Sequence, residues 1–115
     1  MQIKKKKNMR RGEVWLCRAE GYASKPRPVV IIQSDAITDF QSSIMCLITS
    51  FDSGNIPTRV RLDPSEENGL QKVSWVATDK IMTVPLTSLS QCIGSLSLSE
   101  MAKVNQSLCS VLNLF

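Results

Sequence analysis

Three short apolar runs constrain the fold of this chain more than any other feature. They cover residues 14–17, 29–32 and 44–48. The runs are rich in residues with strong β propensity and do not alternate with polar residues, so we predict three strands that are buried on both faces. In a chain of 115 residues, such strands favour a strongly curved antiparallel barrel, and they hint at a second subunit that covers one sheet face.

Weaker signals complete the predicted architecture. Residues 58–62 alternate between apolar and basic side chains, which indicates a strand with a basic outer face. Short strands are predicted at residues 73–77, 82–84 and 91–94, and a short helical piece is predicted over residues 36–40. The clearest helix begins at the capping box Ser97-Leu98-Ser99-Glu100 and continues with apolar residues at helical spacing. We therefore predict an α+β, mainly β, protein with a C-terminal helix and short helical insertions.

The charge pattern separates a basic tail from a folded part without net charge. The chain has 14 basic and 10 acidic residues, and Lys4, Lys5, Lys6 and Lys7 account for the whole excess. We expect residues 1–9 to be a basic, disordered, solubilising tail, with an electrostatic RNA tether as the alternative, and residues 10–115 to form one domain. Met9 could also be an alternative start. No membrane-length apolar run or secretory signal is present, so a cytoplasmic protein is expected.

The residue inventory excludes several kinds of catalytic site. The chain has no histidine, and none of its four cysteines forms a C-x-x-C pair. Zinc binding, Ser-His-Asp catalysis and Cys-His catalysis are therefore not expected. No Gly-rich phosphate loop, carboxylate pair or metal-ligand cluster stands out either, so the sequence predicts neither a metal nor another cofactor.

Arg27 and Thr49 are the candidate catalytic residues that remain. Arg27 stands between Pro26 and Pro28, directly before the second apolar run, so its backbone is restricted. Thr49 and Ser50 directly follow the third run. A guanidinium and a hydroxyl at neighbouring strand ends would bind phosphate oxygens. The alternatives are an ordinary polar strand edge for Arg27 and a turn residue for Thr49.

A set of short motifs runs in order through almost the whole chain. The motifs are Arg11-Gly12-Glu13-Val14-Trp15, Lys25-Pro26-Arg27-Pro28-Val29-Val30-Ile31-Ile32-Gln33-Ser34-Asp35, Leu47-Ile48-Thr49-Ser50, Trp75-Val76-Ala77-Thr78-Asp79-Lys80-Ile81, Thr83-Val84-Pro85 and Ile93-Gly94-Ser95-Leu96-Ser97. Their order and spacing resemble the MazF/PemK family of toxin endoribonucleases, and the C-terminal helix matches that family in placement.

The resemblance implies a fold, an activity and a set of partners. It implies an SH3-like β-barrel, a homodimer, metal-independent cleavage of single-stranded RNA, and a cognate antitoxin that blocks the site, with any DNA contact made only through the antitoxin complex. Within it, Arg27 and Thr49 match the catalytic arginine and threonine. The residues implied in RNA binding are Glu20, Tyr22, Lys25, Ser50 and Lys80. The first loop, residues 18–26, is shorter than in many members, so its RNA contacts do not carry over.

Two other functions stay open at this point. A CcdB-like gyrase poison would share the fold superfamily, but the C-terminal tryptophan of those proteins has no counterpart in Asn113-Leu114-Phe115. A non-catalytic RNA-binding module should offer stacking aromatic residues, and only 5% of the chain is aromatic. Tyr22 and Phe51 are the candidates for that role.

Overall fold

The computed structural model describes residues 8–18, 25–38 and 41–115. Six strands form one antiparallel sheet in the order β4-β5-β3-β2-β1-β6. The strands are β1 (Glu13–Cys17), β2 (Arg27–Ile31), β3 (Ser42–Thr49), β4 (Arg59–Leu62), β5 (Ser74–Pro85) and β6 (Leu89–Ser95), joined by a 3₁₀ turn (Leu86–Ser88) and followed by helix α1 (Leu98–Leu112). The predicted mainly β fold with a C-terminal helix is confirmed. In the part of the chain that the structure describes, no helix has the length and apolar character needed to cross a bilayer.

Apolar side chains are buried on both faces of the central strands, as the unbroken apolar runs predict. Val30 and Cys46 enter a cluster that α1 covers with Val104 and Leu108. Val29, the neighbour of Val30, points to the opposite face and enters a second cluster. Other members of the second cluster are Cys17, Ile31, Met45, Val84 and Leu89, with Met9 packed against it. Residues 1–7 of the predicted tail lie outside the described residues.

The two edges of the sheet, β4 and β6, approach each other through the loop that follows β4. The backbone N–H of Ser95 in β6 donates to the carbonyl of Glu67 in that loop, at 2.8 Å. Asn68 is buried and organises the loop: its side-chain oxygen accepts from the backbone of Ser65 and Leu70, and its side-chain nitrogen donates to the carbonyl of Asp63. The loop therefore bridges the two edges, and the open sheet has a barrel-like shape.

Strand β5 corrects the sequence prediction of two separate strands at residues 73–77 and 82–84. It is one strand that pairs with β3 along its length, but its register shifts in the middle. Leu47 pairs with Ala77 while the adjacent Cys46 pairs with Ile81, so residues 78–80 form an excursion without partners in β3. Thr78 is buried in this excursion and hydrogen-bonds Ser107 of α1 at 2.7 Å, which ties the excursion to the helix.

The predicted helical piece over residues 36–40 is wrong in its described part, residues 36–38, which form no helix; a turn at this point is closed by a hydrogen bond from the Ile37 N–H to the Ser34 carbonyl. Polar side chains just before this segment form other hydrogen bonds. The Ser34 hydroxyl accepts from the backbone N–H of Ala36, and the Asp35 carboxylate accepts from the backbone N–H of Arg11. Such bonds compete with a helix. Residues 39–40 lie outside the described residues. Helix α1, in contrast, has both hydrogen bonds of the predicted Ser97–Glu100 capping box.

Arg59 neutralises the charge of Asp79 at the tip of the β5 excursion. Its guanidinium donates to both carboxylate oxygens, at 3.1 and 3.2 Å, and to the Ser53 hydroxyl. These hydrogen bonds lower the pKa of Asp79 below its ordinary value. Because Arg61 likewise pairs with Asp63, the basic outer face predicted for β4 is compensated by acidic partners.

We expect Asp79→Asn to lower the free energy of unfolding by about 1 kcal/mol at pH 7. A carboxyl whose pKa is lowered in the folded state stabilises that state above its unfolded pKa and stops doing so as pH falls through the lowered value. Urea unfolding should therefore show the difference from wild type at pH 7 and a smaller one at pH 3. Asp63→Asn, which removes a pair exposed by 62% and 74%, is the control and should change little. Equal losses of stability in the two variants would contradict a stabilising role for the pair Arg59–Asp79.

Candidate functional site

Arg27 begins strand β2 at a point where both neighbouring residues are prolines. Pro28 pairs with Leu16 and Arg27 pairs with Cys17 across β1. The prolines restrict the backbone on both sides, and the ladder to β1 fixes the direction of the strand. The Arg27 residue is exposed at this end of the sheet, so the fold presents its guanidinium at the surface.

Strands β2 and β3 bring Arg27 and Thr49 to the same end of the sheet. The observed pairs are Ile31 with Met45, Val30 with Cys46 and Val29 with Leu47. The same register extended by two residues matches Arg27 with Thr49, and directly opposite residues of an antiparallel pair lie on the same face. Both residues line one cleft of about 780 Å³, together with Ser50. The structure thus brings together the two candidate catalytic residues.

The hydroxyl of Thr49 is oriented by the chain that follows it. Its oxygen accepts a hydrogen bond from the backbone N–H of Phe51, at 3.1 Å. Because one lone pair is used in this way, the O–H bond is available as a donor. Thr49 is therefore a turn residue, as the alternative interpretation held, and it also lines the cleft, where its hydroxyl is available as a donor.

Arg27 also lines a second cavity, of about 260 Å³, whose lining does not include Thr49. Lys25 and Lys80 line this cavity with it, and Cys17 contributes to its wall. Burial raises the pKa of the Cys17 thiol, so it is neutral at pH 7. Of the predicted RNA-binding residues, Ser50, Lys25 and Lys80 thus lie beside Arg27. Glu20 and Tyr22 lie outside the described residues.

Sequence reasoning missed Gln71 and Lys72, which line the larger cleft together with Arg27 and Thr49. They follow the loop after β4, and their position depends on the contact of that loop with β6. No local motif marks them. The sequence feature that positions them is a pair of glycines distant in sequence: Gly69 packs against Ile93, and Gly94 packs against Glu67 and Asn68.

The charged side chains that line the two cavities are suited to contact an anion. Four of the described residues that line them are cationic, and none is acidic; the cations are Lys25, Arg27, Lys72 and Lys80. Over residues 8–18, 25–38 and 41–115, no group of three candidate metal ligands occurs. The arrangement offers a guanidinium fork and a hydroxyl donor that can stabilise negative charge on phosphate oxygens.

Comparisons with known proteins identify the family. Residues 10–112 match the family model described as PemK-like, MazF-like toxin of type II toxin-antitoxin system. A curated protein of Mycolicibacterium smegmatis named probable endoribonuclease MazF is 37% identical over 101 residues, which cover 87% of this chain and 93% of that protein. A mycobacterial endoribonuclease solved in complex with its cognate antitoxin superposes with a TM-score of 0.80 at 27% identity, covering 93% of this chain and 97% of that chain.

Another solved structure, which is less than 25% identical, supports the fold alone. The Mycobacterium tuberculosis toxin MazF-mt6 superposes with a TM-score of 0.75 at 24% identity, covering 88% of this chain and 96% of that chain. The chain therefore belongs to the PemK-like and MazF-like toxins of type II toxin–antitoxin systems, the endoribonuclease family that its sequence motifs predicted.

Proposed function

We propose that this chain is a toxin that cuts single-stranded RNA in the cytoplasm without a metal ion, and that it inhibits translation and growth in this way. The observation that carries the proposal is that Arg27 and Thr49 line one cleft whose described lining has cations and no acid. The curated relative, which bears the name probable endoribonuclease MazF, supports the reaction class.

In the proposed reaction the RNA supplies its own nucleophile. The ribose 2′-oxygen attacks the adjacent phosphorus, the bond from phosphorus to the 5′-oxygen breaks, and a 2′,3′-cyclic phosphate and a 5′-hydroxyl result. The 2′-hydroxyl loses its proton to solvent and the leaving 5′-oxygen gains one. Arg27 and Thr49 donate hydrogen bonds to the non-bridging oxygens, on which negative charge grows. Because an arginine stays protonated, we assign Arg27 to charge stabilisation rather than to general base catalysis.

The remaining cations and the Ser50 hydroxyl would hold the RNA on either side of the reacting phosphate. We assign this role to Lys25 and Lys80 on one side and to Ser50 and Lys72 on the other, since these residues line the two cavities that meet at Arg27. Glu20 and Tyr22 remain proposed RNA contacts on the strength of the family resemblance.

We further propose that the toxin is a homodimer and is inhibited by a cognate antitoxin, through which alone it would contact DNA. Exposed apolar residues near the end of α1 and the neighbouring strand ends support a protein interface; they are Ile37, Ile44, Leu112, Leu114 and Phe115. The solved mycobacterial relative is itself bound to its cognate antitoxin.

The proposal predicts cleavage of RNA, but not of DNA of the same sequence, in the presence of EDTA. A single 2′-deoxy substitution at the cut site should abolish cleavage there, because the nucleophile is gone. Thr49→Val, which removes only the hydroxyl, should slow cleavage by about 10²–10³-fold. Thr83→Val, at an exposed position of β5, is the matched control. Cut DNA, or RNA cleavage that EDTA stops, would contradict the mechanism. Intact RNA with folded protein would favour a protein target such as gyrase.

A further inference from the structure

The second cavity that Arg27 lines has apolar walls and a cationic rim. Val29, Leu47 and Met82 contribute to the walls, and Lys25 and Lys80 join Arg27 at the rim. An apolar wall does not solvate a phosphate, whose charge is costly to bury. A nucleobase fits better, because it combines apolar ring faces with a polar edge.

The size of the cavity limits what it can hold. At about 260 Å³, it lies below the range of roughly 300–1,000 Å³ in which drug-sized ligands bind. It therefore has room for one ring system rather than for a whole nucleotide, and a base would enter it with its sugar and phosphate left outside. Because Arg27 lines both cavities, that base belongs to a nucleotide next to the phosphate that Arg27 holds.

The hydrogen-bonding groups at the rim select among the bases. Lysine and arginine side chains donate hydrogen bonds and accept none. At position 4 of a pyrimidine or position 6 of a purine, cytosine and adenine carry an amino donor that would meet no acceptor among these side chains, whereas uracil and guanine carry a carbonyl oxygen that these side chains satisfy. Discrimination of this kind arises because an unmatched polar group loses its water without gaining a partner.

We propose that this cavity is a base-specificity site that binds uracil or guanine next to the cleaved phosphate, an inference that rests on the proposed ribonuclease function. Met82 is the specificity-determining residue of the wall. It is half-buried in β5, two residues after Lys80 at the end of the excursion, and its thioether can contact an aromatic ring. Lys80 donates to the carbonyl edge.

The test measures RNA affinity separately from catalysis. Once wild-type protein has revealed a cut site, oligonucleotides with a 2′-deoxy residue at that site report binding without cleavage. Each flanking position carries uracil, guanine, cytosine, adenine or no base in turn. At one position, uracil or guanine should bind about 5- to 150-fold more tightly than the abasic oligonucleotide, and more tightly than cytosine or adenine.

Variants then assign that preference to the cavity. Met82→Ala should lose most of the preference while binding the abasic oligonucleotide as wild type does, and Met82→Leu, which keeps an apolar wall, should retain part of it. Lys80→Gln should reduce discrimination between uracil and cytosine, because the glutamine amide can also accept. Thr83→Ala in the same strand is the control for packing, and Lys103→Ala on α1 is the control for loss of a positive charge. Both should keep the base preference of the wild type.

Two results would overturn the proposal. Equal affinity for all bases and the abasic oligonucleotide would show that the cavity reads no base. An equal loss of affinity for base-containing and abasic RNA in Met82→Ala would show that Met82 only supports the backbone contacts. If wild-type protein neither cuts nor binds RNA, the ribonuclease function itself fails and the base site fails with it, a result distinct from cleavage without base preference.

Discussion

An Arg27→Ala variant is expected to cut RNA about 10³-fold more slowly than wild type, or more slowly still, and to be non-toxic when produced in cells. Loss of a single donor to a developing oxyanion typically costs about 10²–10³-fold in rate, and a guanidinium supplies two parallel donors together with a charge. Single-turnover cleavage of an RNA with one cut site is the measurement, because it reports the chemical step without product release.

The controls separate catalysis from folding. Because Arg27 is an exposed residue at the first position of β2, the alanine variant should unfold at the same urea concentration as wild type and sediment in the same way. Arg27→Lys keeps the charge but loses the fork, so it should recover only a small part of the rate. Arg61→Ala removes another exposed arginine, which pairs with Asp63, and should leave cleavage unchanged. Cleavage by Arg27→Ala at a rate close to wild type would refute the site.

A Gly69→Ala variant is expected to lose at least about 3 kcal/mol of stability. Gly69 has a φ of +71°, where side chains are strained, and an added Cβ would lie 2.0 Å from the carbonyl oxygen of Ile93 in β6. That neighbour is backbone within the sheet and cannot rotate away. The loop would have to detach from β6, which would break the hydrogen bond between Ser95 and Glu67. Urea unfolding at pH 7 measures the loss.

The same variant should also impair RNA binding, because Gln71 and Lys72 follow this loop into the cleft. Gly54→Ala is the matched control: its added Cβ would meet only the flexible Asp52 side chain, at 3.3 Å, and should cost less than about 1 kcal/mol. A stable Gly69→Ala protein with wild-type affinity would show that the loop does not position the cleft.

Local patterns predicted those parts of the fold that depend on neighbouring residues in the chain. The apolar run at residues 29–32 predicted a strand buried on both faces, and the capping box predicted the start of α1 correctly. Prediction failed at residues 36–38, where the Ser34 side chain accepts from the backbone of Ala36 and the preceding Asp35 side chain accepts from the backbone of Arg11. It also divided β5 in two, because the polar excursion at residues 78–80 interrupts the apolar pattern without ending the strand.

The site was predictable only in part, for a related reason. Arg27 stands out through its flanking prolines, and Thr49 through its position after an apolar run, so each could be named from its own surroundings. Their placement in one cleft depends on the register between β2 and β3. Lys72 reaches the cleft through the contact between the loop after β4 and strand β6, which no short stretch of sequence encodes.

The excursion at residues 78–80 is a place where the length of the chain can change during evolution without shifting the pairs of β3 and β5. The ladder resumes on both sides of it, with Ala77 paired to Leu47 and Ile81 paired to Cys46. Insertions or deletions there would alter the surface beside Lys80, while the pairs on either side keep their faces and their partners. Related chains could in this way diversify the sequences they recognise without rebuilding their cores.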